Sequence, residues 1–267
     1  MTLPLYWIDA FTDRVFSGNP AAVVPLTDWL PAEKMQQIAF ENGLAETAFF
    51  VRTGADRFHL RWFTPAIEVE LCGHATLATA FTLFTELGQS GKSITFESLS
   101  GPLQATRLSD GLIELNFPAL PAAPVAPDKI PASLLPALHS LPREIHQVKD
   151  CAQFLAIYDD AALVSSLAPD FNALARLGDT RVIATARGED CDFVSRFFAP
   201  GAGIPEDPVT GSAHCTLVPY WAERLGKTRL HARQISARGG ELYCELKDER
   251  VQMAGRCVCY LRGTISA

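Results

Sequence analysis

The chain has 267 residues, 48% hydrophobic and 20% charged, with a net charge of −7 and a pI of about 5.4. Its length suffices for two ordinary domains, and its composition is globular. The acidic balance speaks against nucleic acid or an anionic membrane as a partner, and no apolar run approaches the ~20 residues that span a bilayer.

The N-terminus MTLPLYWIDAF carries Asp9 early and has no basic region followed by an apolar stretch, so no signal peptide is expected. Pro31 opens a helix through about Asn42, because proline suits the first helical position. ETAFFVR (46–52) and RFHLRWF (57–63) read as strands. GHATLATAFTLFTELG (73–88) has no charge before Glu86 and is apolar all round, which predicts a buried helix ending at Gly88. SITFES (93–98), PLQATRL (102–108) and GLIELNF (111–117) read as further strands. Seven prolines within residues 118–142 then suggest a stiff connector. Pro169 opens a helix to about Leu177, followed by strands TRVIATA (180–186) and CDFVSRFF (191–198). GSAHCTLVPYWAERLG (211–226) is a second apolar helix, closed by Gly226, and Pro219 should kink or split it. ELYCELK (241–247), RVQMAG (250–255) and CVCYLRG (257–263) complete the strands.

These elements repeat. FHLRWFTP (58–65) matches FVSRFFAP (193–200) at an offset of 135. After a longer second loop the offset becomes 138 and holds: Gly73 matches Gly211, Gly88 matches Gly226, Gly101 matches Gly239 and Asp110 matches Asp248. The expected fold is therefore α+β, with two pseudo-symmetric halves, each a mostly antiparallel curved sheet wrapped around a central buried helix. The halves are expected at 1–117, completed by a C-terminal strand over about 255–267, and at 118–254.

The repeat also sets two helix N-termini in equivalent positions. Each presents unpaired N–H groups and a partial positive charge suited to a carboxylate, and both are expected to face one cleft. The preceding loops are LCGHAT (71–76) and EDPVTGSAH (206–214). Thr210 and Ser212 suit N-capping, which leaves Glu206 and Asp207 less well explained. His74, at the mouth of an apolar helix, is either satisfied by a backbone group or a neutral donor or acceptor, and His214 reads as structural. Glu46 is either a solvated strand end or, beside a dry cleft, a proton carrier. Gly201-Ala-Gly203 only begins like a dinucleotide fingerprint, since Pro205, Glu206 and Asp207 follow. There is no GxxxxGK[ST], HExxH or GxSxG, and the six histidines show no paired metal spacing. The seven cysteines, Cys72, Cys151, Cys191, Cys215, Cys244, Cys257 and Cys259, include no CxxC pair and suggest reduced thiols in the cytoplasm.

The segments IDAFTDRVFSGNPAAVV (8–24), GLAETAFF (43–50), RWFTPAIEVELCGHATLATA (61–80) and RFFAPGAGIPEDPVTGSAH (196–214) together resemble the phenazine-biosynthesis PhzF family of the diaminopimelate epimerase-like superfamily. The resemblance implies two like domains with a site between them, catalysis without metal or other cofactor, and a homodimer. It assigns the acid/base to Glu46 and places His74, Asp207 and Ser212 around the reacting end of a small anionic metabolite. Cys72, Gly73, Thr210 and Gly211 would border the bound substrate. The implied activity is a one-base isomerisation in which Glu46 removes a proton from an activated carbon and returns it elsewhere. Two rivals stand beside it: a racemase or epimerase using Cys72, and a small-anion binding protein without turnover. The epimerases of the superfamily use two facing cysteines, whereas here the second half offers Asp207 and Thr210.

Overall fold

The computed structural model describes all residues from Met1 to Ala267. The chain divides into two compact units, one of residues 1–117 with 252–267 and one of residues 118–251. No helix is long and apolar enough to cross a membrane.

The first unit opens with β1 (Thr2–Ala10) and β2 (Asn19–Leu26), then α1 (Ala32–Asn42), β3 (Glu46–Arg52), β4 (Arg57–Phe63) and the short β5 (Glu68–Val69). The central helix α2 (Gly73–Phe81) continues as one π-helical turn over Thr82–Glu86, and β6 (Ser93–Ser98), β7 (Gly101–Arg107) and β8 (Ile113–Pro118) follow. In the sheet, the C-terminal strand Cys257–Ser266 lies antiparallel to β1, and β1 antiparallel to β2. β2 runs parallel to β3, β3 antiparallel to β4, β4 parallel to β6, and β6 antiparallel to β7. Alternation along β2 sends Ala22, Val24 and Leu26 into a core shared with Met35 and Ile38 of α1. Ala21 and Val23, on the opposite face, are equally buried, and α2 packs against β1, β2 and β3.

The second unit holds β9 (Ala122–Pro124), α3 (Leu134–Leu138), β10 (Glu144–Val148), β11 (Gln153–Ile157), α4 (Ala161–Ser166), α5 (Phe171–Ala175), β12 (Arg181–Arg187) and β13 (Phe193–Ala199). Next come β14 (Ile204–Asp207), the central helix α6 (Gly211–Leu225), β15 (Arg229–Gln234) and β16 (Gly240–Lys247). β17 (Arg250–Gly255) carries the chain back into the first unit at Gln252. The strand Cys257–Ser266 is therefore β18. β9 is antiparallel to β10, β10 antiparallel to β11, β11 parallel to β12, β12 antiparallel to β13, β13 parallel to β15, and β15 antiparallel to β16. This sequence of senses is the one seen in the first unit, with β18 in the place that β9 occupies here. The fold is thus two like halves, each a mostly antiparallel sheet with a buried central helix.

Some elements differ from expectation. The proline-rich stretch is not merely a connector: Ala122–Pro124 joins the sheet, and Leu134 and Leu138 of α3 enter the core with Phe154 and Phe198. The helix expected from Pro169 begins at Phe171, because Asp170 caps it by accepting from Ala173 N–H at 2.9 Å. Pro31 is the N-cap residue of α1 rather than its first helical residue. Pro219 does not split α6. Its missing N–H would have bonded the Cys215 carbonyl, and the Leu120 N–H takes that carbonyl instead at 2.9 Å. Gly88 and Gly226 are left-handed where the two central helices close.

Candidate active site

Within the first unit, three titratable side chains converge. Glu46 is the first residue of β3, paired with Ala21 of the parallel β2. It is not a solvated strand end: its side chain is 12% exposed, and Oε2 lies 3.1 Å from Nε2 of the buried His74. The two atoms are within ion-pair distance, and neither has a hydrogen-bond partner. His74 is the second residue of α2, and Cys72 is the N-cap in extended conformation, with no side-chain cap on the helix. Cys72 Sγ lies 3.6 Å from His74 Nδ1, and Asn19 Nδ2 lies 3.2 Å from the same nitrogen. Burial opposes charging the ring, but the adjacent Cys72 and Glu46 outweigh it and hold the His74 pKa well above its usual value. Burial, with the Glu46 carboxylate, pushes the Cys72 thiol up, which favours the neutral thiol.

Glu46, Cys72 and His74 bring one donor atom each within 4.8 Å of one another, a donor set that superficially suits a metal. Cys72 Sγ approaches Nδ1 of the ring and Glu46 Oε2 approaches Nε2.

The equivalent place in the second unit is built differently. Thr210 is the N-cap of α6, matching Cys72, and Ser212 is exposed on the second helical residue, matching His74. Neither caps the helix. Thr210 Oγ1 donates instead to Asp207 Oδ2 at 2.5 Å. The buried Gln234 ties the turn together: its Nε2 donates to the Asp207 carbonyl at 2.7 Å, and its Oε1 accepts from Thr210 N–H at 2.9 Å. His214 is structural. Its Nδ1 bonds the Thr210 carbonyl at 2.8 Å, and burial pushes its pKa down to about 4.

Glu206 explains itself through Arg196, which it meets with both oxygens at 2.7 and 2.8 Å. Arg196 also donates to the Leu167 carbonyl at 2.7 Å. The first unit repeats the device, with Arg61 bonding both oxygens of Glu68 at 2.7 Å. Each bidentate pair pins the short strand leading to a helix N-terminus. Sequence reasoning missed Asn19, Gln234 and these arginines; only the repeat, which aligns Arg61 with Arg196, carried a signal.

The family model for phenazine biosynthesis-like proteins matches residues 8–263. The chain belongs to this PhzC-PhzF family. A Pseudomonas aeruginosa protein named "Uncharacterized isomerase" is 48% identical over 265 residues, 99% of each chain. A solved PhzF-family structure from Enterococcus faecalis is 43% identical with a TM-score of 0.94, covering all of both chains. A P. aeruginosa structure described as a predicted epimerase, 20% identical with a TM-score of 0.71 over 99% of each chain, shows the shared fold. PhzF membership, the epimerase-like fold and the isomerase class expected from the sequence agree with these findings.

Proposed function

We propose that this PhzF-like isomerase moves a proton within a small carboxylate-bearing metabolite, without a cofactor, using Glu46 as acid and base. The observation that carries the reading is the Glu46 carboxylate, almost withdrawn from water and held 3.1 Å from His74 Nε2 beside the uncapped N-terminus of α2. A carboxylate so placed takes a proton from a carbon acidified by a neighbouring carboxylate or conjugated π system. Glu46 then returns the proton to another carbon of that system, so the reaction is redox-neutral. Charge developing on the substrate falls to the amides of the helix N-terminus near Gly73, and such preorganised donors are worth several kcal/mol. His74 orients Glu46. On this reading Asp207, Thr210, Gly211 and Ser212 supply a second set of substrate contacts. The seven free cysteines support a reducing, cytoplasmic setting.

A thiol mechanism has one observation in its favour, the 3.6 Å approach of Cys72 Sγ to His74. The elevated thiol pKa weighs against Cys72 as the base. The test is a metabolite screen by NMR in D₂O, seeking a carbon-bound hydrogen that exchanges. Glu46→Gln should lower turnover by at least roughly 10²-fold while anion affinity persists, whereas Cys72→Ala should retain most of it. The opposite pattern would transfer the role to Cys72. Asp207→Asn should also slow turnover, and its effect should not add fully to that of Glu46→Gln if both serve one transition state.

A further inference from the structure

Asn19 has no role in the reaction outlined above, yet it is fully buried at the start of β2. Its Nδ2 lies 3.2 Å from His74 Nδ1. The titratable groups facing the ring are Cys72, from the N-cap of α2, and Glu46, from β3. An imidazole carries its proton on the nitrogen that its neighbours leave as a donor. An amide NH₂ only donates, so against Nδ1 it requires a bare lone pair there. The proton of the neutral ring then resides on Nε2, directed at Glu46. A thiol at 3.6 Å is a weak donor and a weak acceptor and does not decide the matter.

We propose that Asn19 is a positioning residue that keeps the proton of neutral His74 on Nε2, facing Glu46, and makes Nδ1 the nitrogen that titrates. The proposal rests on the reading of Glu46 as the acid/base. It gives the Glu46 carboxylate the same N–H donor whether or not the ring is charged. When Nδ1 gains a proton it becomes a donor facing the donating amide of Asn19, so this contact opposes that step. No bond other than N–H forms or breaks in this step, and the proton comes from solvent.

The test is the ¹⁵N spectrum of the His74 ring in the labelled full-length protein, assigned by the signals lost in His74→Gln. Above the ring's pKa, the expected spectrum has a bare Nδ1 and a protonated Nε2. This first reading needs no variant at Asn19, so it stands even if substitution there impairs folding. Asn19→Ala should mix the two tautomers. Asn19→Asp offers only acceptors, and should move the proton of the neutral ring to Nδ1 or raise the titration midpoint by roughly one pH unit or more. A bare Nε2 in the unaltered protein overturns the proposal, and so does an Asn19→Ala spectrum that keeps the original tautomer. Turnover is read separately. If Glu46→Gln retains native turnover while the tautomer is as described, the catalytic reading fails and the positioning of His74 survives.

Discussion

Two histidines near the two helix N-termini have opposite fates, for reasons visible only at residue scale. His214 meets a backbone carbonyl and no acid, so burial dominates and its pKa falls to about 4. Unfolded, the ring titrates near ~6.5. A depressed folded pKa means that the stabilisation is complete above that value and drains away as pH falls toward about 4, by about 3 kcal/mol in total. Denaturation midpoints measured across this window should decline steeply for the native chain and less for His214→Gln; equal slopes would refute the assignment. His74 faces Glu46 and Cys72, so its pKa shifts the other way, and its share of stability is lost as pH rises through the folded value. Glu46, His74, Asp207 and Ser212 could be named from the sequence because they lie in contiguous motifs. Asn19 reaches His74 across 55 positions, and Gln234 reaches Thr210 across 24, so no local pattern pointed to their partners.

At the scale of elements, alternation located the strands well where side chains were free to alternate. ETAFFVR, RFHLRWF, SITFES and RVQMAG begin and end as predicted. β1 and β2 are not among the strands expected from the sequence, and each carries proline, Pro4 in one and Pro20 and Pro25 in the other, which disfavours ladder positions. Pairing on both sides of each overrode that preference. The turn joining them is held tightly. Asp9 accepts from Phe16 N–H at 2.9 Å, and Gly18 is left-handed with the Ala10 carbonyl 2.2 Å from where a Cβ would stand. Gly226 has nearly the same φ but open space around it. Alanine at Gly226 should therefore cost only the left-handed penalty of about 1–2 kcal/mol. At Gly18 it must also displace backbone, and should cost clearly more. Equal losses in chemical denaturation would contradict this account of the turn.

At the scale of the whole molecule, the first unit is completed by the last strand of the chain. β18 pairs with all nine residues of β1 and covers the edge next to Leu3 and Leu5. Deleting residues 257–267 should lower hydrogen-exchange protection of β1 amides at least roughly tenfold, since several backbone bonds worth about 1 kcal/mol each are lost. The amides of β12, which belong to the second unit, should keep theirs. A uniform loss across both units would show that they do not behave as separate compact bodies. The sequence by itself determined the duplication, the two apolar helices with their closing glycines, and the family. These depend on local periodicity and on motifs that survive in one dimension. Tertiary structure alone decided that β18 closes the first sheet, that Leu120 satisfies the carbonyl freed by Pro219, and that Asn19 and Glu46 meet around one imidazole. Each is a contact between residues distant in the chain, and its partner is chosen by burial and hydrogen-bond satisfaction in the folded state rather than by any neighbour in sequence.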